Sequence, residues 1–143
     1  MRPLCDFLQR IDEAYEDIQS IISLDADKYK NLDRHAVQAL DQYLFRFSKL
    51  QDTMGDKVFP LIIQMYEQNT QRHPFVDVLN KLEKLGFISS TKEWLNLRQI
   101  RNVIAHQYDD EPQEMSQAIN NIVNQKEIIK NIYLKLKSRS HNN

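Results

Sequence analysis

The sequence predicts an all-α protein, a bundle of four or five antiparallel helices. Three observations indicate this fold class. Apolar residues recur at three- and four-residue spacing along most of the chain, glycine and proline are scarce with two and four copies, and helix-forming Leu, Ile, Gln, Glu and Lys are abundant. With 143 residues, of which 41% are hydrophobic, the chain can bury one core. We therefore expect a single helical domain over residues 1–137 and a polar, frayed C-terminal tail over residues 138–143.

Helix-capping residues delimit several of the segments that carry this apolar pattern. The segments are residues 4–22, 36–66, 74–85, 90–108 and 115–136. Asp33 is the predicted N-cap of the second helix, after a polar connection over residues 23–33, and Gly86 is the predicted C-terminal stop of the third. Ser90 and Glu93 have capping-box spacing, so the fourth helix should begin there.

Gly55 and Pro60 interrupt the second helix. Gly55 favours a helix stop and Pro60 lacks a backbone donor, yet apolar residues continue on both sides of them. We therefore predict a kink or a break between Thr53 and Leu61.

Charge and composition exclude several classes of protein. The formal net charge of -1 gives no global attraction to nucleic acid, so any such binding must come from a local patch. The single Cys5 excludes an internal disulfide framework, and His35, His73 and His141 lack metal-ligand spacing, so we expect no metal and no cofactor. Charged residues interrupt every apolar run, which predicts a cytoplasmic protein without a membrane segment.

The stretch LRQIRNVIAHQY carries the densest group of chemically active side chains. At about 100° per residue, Arg101 and Tyr108 share one face of a helix, and Asn102 and His106 share another. Arg101 and His106 are separated by roughly 140°, so one straight helix cannot direct both at one phosphate. Either the helix unwinds after Ala105, or a second copy of the chain completes the site.

The order of Arg101, His106 and Tyr108 resembles the R-x4-H-x-Y signature of HEPN-superfamily ribonucleases, in particular HepT-like toxins of bacterial toxin–antitoxin pairs. The asparagine after the arginine, the acidic turn behind the motif and the preceding KLEKLGFISS are also similar to these proteins. The resemblance extends from about residue 32 to residue 136. It implies a HEPN-like bundle that forms a homodimer, with a composite site at the dimer interface.

The motif residues suit RNA cleavage without a metal. A neutral imidazole, with an ordinary pKa of about 6.5, can take the proton from a ribose 2′-hydroxyl at physiological pH. By resemblance, His106 is the general base or acid, Arg101 stabilises charge on the phosphate, and Asn102 orients His106 or the scissile phosphate. Arg98 adds positive charge one turn before Arg101, and we assign Arg98 and Tyr108 to substrate binding.

The resemblance also implies a partner protein. In HepT-like proteins a minimal nucleotidyltransferase antitoxin transfers AMP to the tyrosine that matches Tyr108. Phosphate added beside Arg101 and His106 would compete for the same positive groups and obstruct RNA. The expected function is therefore an endoribonuclease toxin that acts on RNA and is neutralised by AMPylation of Tyr108.

Other functions are compatible with the same residues. One is a non-catalytic HEPN-like subunit that binds substrate for a separate nucleotidyltransferase, and another is a helical adaptor whose last helix binds a protein. Each motif residue also has a structural interpretation. Arg101 can pair with a buried carboxylate, such as one from the first two helices, His106 can interact with a helix dipole, and Tyr108 can belong to the core.

Overall fold

The computed structural model describes the backbone of residues 2–67, 73–106 and 111–141, and the side chains of residues 5–67, 73–102 and 111–139. These residues form helices and no β-strand, which confirms the all-α prediction for the described part of the chain. In chain order the elements are α1 (Arg2–Ile18), α2 (Ala26–Lys30), α3 (Arg34–Thr53), a π-helical segment (Met54–Val58), α4 (Phe59–Tyr66), α5 (Phe75–Leu85), α6 (Thr91–His106), α7 (Pro112–Asn124) and α8 (Lys126–His141).

One hydrophobic core connects the long helices, as in a helical bundle. Its largest fully buried side chains are Trp94, Tyr43, Phe47 and Phe59. The rings of Phe59 and Trp94 lie 4.8 Å apart between centroids and join α4 to α6. None of the described helices combines the length and the apolar character needed to cross a membrane.

The predicted helix caps are confirmed. The Ala36 backbone N–H donates to Asp33 Oδ1 at 2.8 Å, and the Glu93 N–H donates to Ser90 Oγ at 3.3 Å. Gly86 adopts the left-handed conformation with φ of 82° immediately after α5. Local sequence was sufficient here because each cap depends on residues at most three positions away.

Residues 23–33, predicted as a connection, contain the short helix α2. Asp25 caps its first turn by accepting from the Lys28 backbone N–H at 2.8 Å. The preceding Leu24 is buried, and its N–H and C=O both bond the side-chain amide of Asn120 on α7 at 2.8 Å. This tertiary contact holds the segment against the bundle and satisfies its backbone, which no local pattern indicates.

Of the kink or break predicted between Thr53 and Leu61, the break is wrong. The chain stays helical and widens into a π-helical turn, in which the Phe59 N–H donates to the Met54 carbonyl five residues earlier. Met54 and Phe59 are both fully buried, so the extra residue per turn keeps both in the core. Pro60 falls in the first turn of α4, where its missing donor is tolerated.

The C-terminal region also differs from the prediction in two ways. The last predicted helix is divided at Gln125 into α7 and α8. The backbone of residues 138–141 belongs to α8, where we had expected a frayed tail. Arg139 stabilises this end because its guanidinium donates to the Leu85 carbonyl at the end of α5 and lies 4.2 Å from the Phe87 ring centroid.

Candidate functional site

Helix α6 places the motif residues because its inner face is anchored in the core. Trp94 and Leu97 are buried, with 2% and 1% of their surface exposed. Arg98, Arg101 and Asn102 lie on α6 outside the buried core, where Asn102 is exposed and both arginines are half-buried. A rigid, core-anchored helix therefore presents these three polar side chains at the surface.

Arg101 is fixed by two polar contacts. Its Nη1 donates to Asp52 Oδ1 at 2.5 Å, and its Nη2 donates to Asn102 Oδ1 at 3.2 Å. The side chain of Arg101 is 22% exposed and that of Asp52 is 51% exposed. The Nε atom of Arg101 is buried and has no hydrogen-bond partner among the described residues. The planar guanidinium is thus held in one direction while part of its donor edge faces solvent.

The sequence also allowed a structural role for Arg101, in which it pairs with a buried carboxylate from the first two helices. Its partner Asp52 has the expected location but not the expected burial. Asp52 lies on α3, the second helix that the sequence predicts, so the arginine does pair with a carboxylate from that region. Asp52 is half exposed rather than buried, and ion pairs at such positions contribute only about 0.2–1 kcal/mol to stability. A phosphate can therefore compete for the same guanidinium.

Arg98 contacts an aromatic ring instead of a carboxylate. Its Cζ atom lies 4.7 Å from the centroid of the Phe75 ring at the start of α5. That ring packs beside Gly55 in the π-helical segment, where an added Cβ atom would lie 3.5 Å from the ring. The contact orients the Arg98 guanidinium over the ring without neutralising its charge.

The backbone of α6 is helical from Thr91 to His106, so no unwinding at Ala105 separates Arg101 from His106. The His106 side chain lies outside the described residues, as does Tyr108 with the rest of 107–110. The structure therefore brings Arg101 together with Asn102 and Asp52, while the predicted roles of His106 and Tyr108 stay predictions.

Sequence reasoning missed Asp52 and the contact between Phe75 and Arg98. Asp52 precedes Arg101 by 49 positions, and no local pattern connects them. One signal was available: Asp52 lies in the last turn of α3, just before the interruption at Gly55 and Pro60, where helices deviate from regular geometry.

A second polar cluster joins α4 to α5. Lys81 Nζ lies 2.6 Å from Glu67 Oε1, and His73 Nε2 lies 3.1 Å from Glu67 Oε2. The hydrogen bond from Lys81, followed by that from His73, lowers the pKa of the Glu67 carboxyl. Across the described residues, no group of three or more His, Cys, Asp or Glu side chains is placed to hold a metal ion.

Comparisons with protein-family models, with curated proteins and with solved structures find no match to this chain. A functional assignment therefore depends on the motif residues and on the contacts that they make.

Proposed function

We propose that this chain is a HEPN-type endoribonuclease toxin of the cytoplasm that cleaves RNA without a metal ion. The observation that supports the proposal is the fixed orientation and partial exposure of the Arg101 guanidinium. Its guanidinium is partly exposed, held by Asp52 and Asn102, and carried by a helix anchored in the core. A fixed cationic fork of this kind stabilises charge that develops on phosphoryl oxygens without needing to reorganise.

The proposed reaction is an internal transfer at the RNA phosphate. His106 takes the proton of the ribose 2′-hydroxyl, and the 2′-oxygen attacks the adjacent phosphorus. The bond from phosphorus to the 5′-oxygen of the next nucleotide breaks, and a second imidazole returns a proton to that oxygen. The products are a 2′,3′-cyclic phosphate and a free 5′-hydroxyl, with Arg101 balancing the phosphoryl charge.

A homodimer would place an arginine and a histidine at the same phosphate, which one straight helix cannot do. Because α6 stays helical to His106, Arg101 and His106 of one chain diverge by roughly 140° about its axis. A two-fold axis beside α6 would bring both copies of the motif to one cleft and provide two histidines, one as base and one as acid. The proposal therefore includes a dimer as the active form.

The proposed control of the toxin is AMPylation of Tyr108 by a cognate minimal nucleotidyltransferase antitoxin. The tyrosine hydroxyl would attack the α-phosphate of ATP and release pyrophosphate, which leaves AMP on Tyr108. The added phosphate would compete with RNA for Arg101 and for Arg98, one turn earlier on α6.

RNA cleavage in the presence of EDTA tests the nuclease proposal. The purified wild type should degrade RNA, and both Arg101→Ala and His106→Ala should abolish cleavage. His35→Ala is the matched control, because His35 is an exposed histidine in the first turn of α3. Full activity in either motif variant would overturn the proposal.

The ion pair with Asp52 supports a second candidate function, a non-catalytic HEPN-like subunit that binds substrate for a separate nucleotidyltransferase. In that protein the contact of Arg101 with Asp52 serves the fold, and Arg101 acts on no scissile phosphate. The two candidates differ in outcome. The non-catalytic subunit does not cleave RNA at any concentration, and its Arg101→Ala variant loses stability without losing an activity.

A further inference from the structure

Of the two arginines that α6 presents, Arg98 has fewer polar partners. Arg101 already donates to Asp52 and Asn102. Arg98 has no carboxylate and no hydrogen-bond acceptor as a partner within the described part of the chain, although it is half-buried. An arginine that is held in place while its N–H donors stay available is suited to bind an anion.

Phe75 provides the surface on which Arg98 rests. The ring is partly buried against the hydrophobic core and packs beside Gly55, so it cannot easily move away from the arginine. The guanidinium contacts the ring at 4.7 Å and leaves its N–H edge for other partners. The Arg98 side chain is thus partly ordered before any ligand binds, so ligand binding loses less conformational entropy.

We propose that Arg98, held by Phe75, binds the RNA phosphate that neighbours the one contacted by Arg101. This inference rests on the proposed ribonuclease function and adds a second phosphate site to it. Residues three apart on a helix have Cβ atoms about 5–6 Å apart, which lets Arg98 and Arg101 reach successive phosphates of one strand. Phe75 is a positioning residue, because it acts only through Arg98.

The charges around the two arginines assign them different tasks. Asp52 offsets the charge of Arg101 before RNA binds, whereas no described carboxylate offsets that of Arg98. Arg98 therefore supplies the initial attraction for the strand, and Arg101 acts on the scissile phosphate. In a chain with a net charge of -1, such a local site is needed for any nucleic-acid binding.

Salt-dependent binding of a short 2′-O-methyl RNA tests the assignment in the wild-type protein, because this oligonucleotide lacks the 2′-hydroxyl and cannot be cleaved. Loss of one phosphate contact lowers the slope of log K against log salt by about 0.7 for a single strand. Arg98→Gln should show this loss. Arg98→Lys should keep the slope and bind about fivefold more weakly, since a lysine keeps the charge without the planar contact.

Two further variants distinguish the positioning of Arg98 by Phe75 from a general effect of positive charge. Phe75→Leu should match Arg98→Lys, with an unchanged slope and about fivefold weaker binding. Arg46→Gln is the matched control, because Arg46 also lies over an aromatic ring, 5.5 Å from the Phe45 centroid on α3. It removes the same charge at another place and should bind like the wild type.

The outcomes distinguish this inference from the proposed function. If the wild type cleaves RNA and Arg98→Gln has the slope and affinity of Arg46→Gln, the Arg98 site is overturned and the nuclease is not. If the wild type binds the oligonucleotide through Arg98 but cleaves no RNA, the nuclease alone is overturned. A wild type that neither binds nor cleaves RNA overturns both.

Discussion

Arg101 on α6 and Asp52 at the end of α3 form an ion pair, with 2.5 Å between Nη1 and Oδ1. The pair has opposite effects on the two steps of the proposed reaction. Asp52 orients the guanidinium, which favours catalysis, and it also places a negative charge where RNA must approach. Some substitutions of Asp52 remove only its negative charge, and others also remove its hold on the Arg101 guanidinium. The two kinds should therefore affect KM and kcat differently.

Asp52→Asn removes the charge and keeps an oxygen that can accept from Arg101. We expect KM for RNA to fall about threefold, because the repulsion of phosphate is lost, with a change in stability of less than about 1 kcal/mol. Asp52→Ala should instead lower kcat about tenfold, because the guanidinium loses its orientation. Initial rates over a range of RNA concentrations measure both effects.

Asp41→Asn is the control for this pair of variants, because Asp41 is an exposed aspartate on the same helix. It should leave KM and kcat unchanged. An Asp52→Asn variant with the KM of Asp41→Asn would show that the carboxylate does not compete with RNA.

Trp94→Ala should destabilise the fold strongly. The side chain is 2% exposed and packs against the Phe59 ring, so its truncation leaves a large cavity between α4 and α6. We expect a loss of about 3–5 kcal/mol in the free energy of unfolding, measured with urea. The neighbouring Leu95 is 37% exposed, and Leu95→Ala should cost about 0.5 kcal/mol. Similar losses in both variants would contradict the placement of α6.

The two glycines should respond to alanine with opposite signs. Gly86→Ala forces a Cβ into the left-handed region and within 2.9 Å of the Arg139 guanidinium, so it should destabilise the protein by about 1 kcal/mol. Gly55 has a right-handed helical setting and only ordinary contact with Phe75, so Gly55→Ala should be neutral or stabilising by about 0.5 kcal/mol. Thermal unfolding of the two variants measures the difference, and equal shifts would refute it.

The contact between Lys81 and Glu67 should stabilise the fold only above acid pH. The hydrogen bond from Lys81, with a smaller contribution from His73, lowers the pKa of Glu67 below its ordinary value of 4.5. Because the folded pKa is the lower one, this stabilisation is present above pH 4.5 and is lost as the pH falls through the lowered pKa. Lys81→Met should therefore reduce Tm at pH 7 more than at pH 3.

The exposed Lys84 on the same helix provides the control for this pH effect. Lys84→Met should shift Tm little at either pH. A Lys81→Met variant with the same loss of Tm at pH 3 as at pH 7 would show that the charge of Glu67 is not the cause.

Features that depend on nearby residues could be predicted from the sequence, and features that depend on packing could not. The caps at Asp33 and Gly86 are local, and their predicted positions are confirmed. The partners of Arg98 and Arg101 could not be predicted, because only the tertiary fold brings Phe75 on α5 and Asp52 near the end of α3 to α6. Composition predicted the all-α class, since it sums weak helical preferences over the whole chain.

The irregularity at Gly55 and Pro60 was located correctly, but a break, one of its two predicted forms, was wrong for an energetic reason. A break would have exposed the apolar residues that flank it and left backbone groups unsatisfied. The π-helical turn keeps the chain hydrogen-bonded and keeps Met54 and Phe59 buried. Sequence patterns cannot distinguish a break from a wider turn, because both begin with the same helix-disfavouring residues.

The π-helical turn also determines how far α3 is rotated relative to α4 about the axis of one continuous helix. Its bond from the Phe59 N–H to the Met54 carbonyl takes in one residue more than an α-turn, and one residue corresponds to about 100° of rotation. Asp52 lies before this turn and the core-facing Phe59 lies after it. Closing this turn into a regular α-turn, with no residue removed, would leave every side chain intact, yet rotate the Asp52 carboxylate by about 100° around the helix axis relative to α4. The direction in which Asp52 points is thus encoded in a backbone hydrogen bond rather than in the chemistry of either side chain.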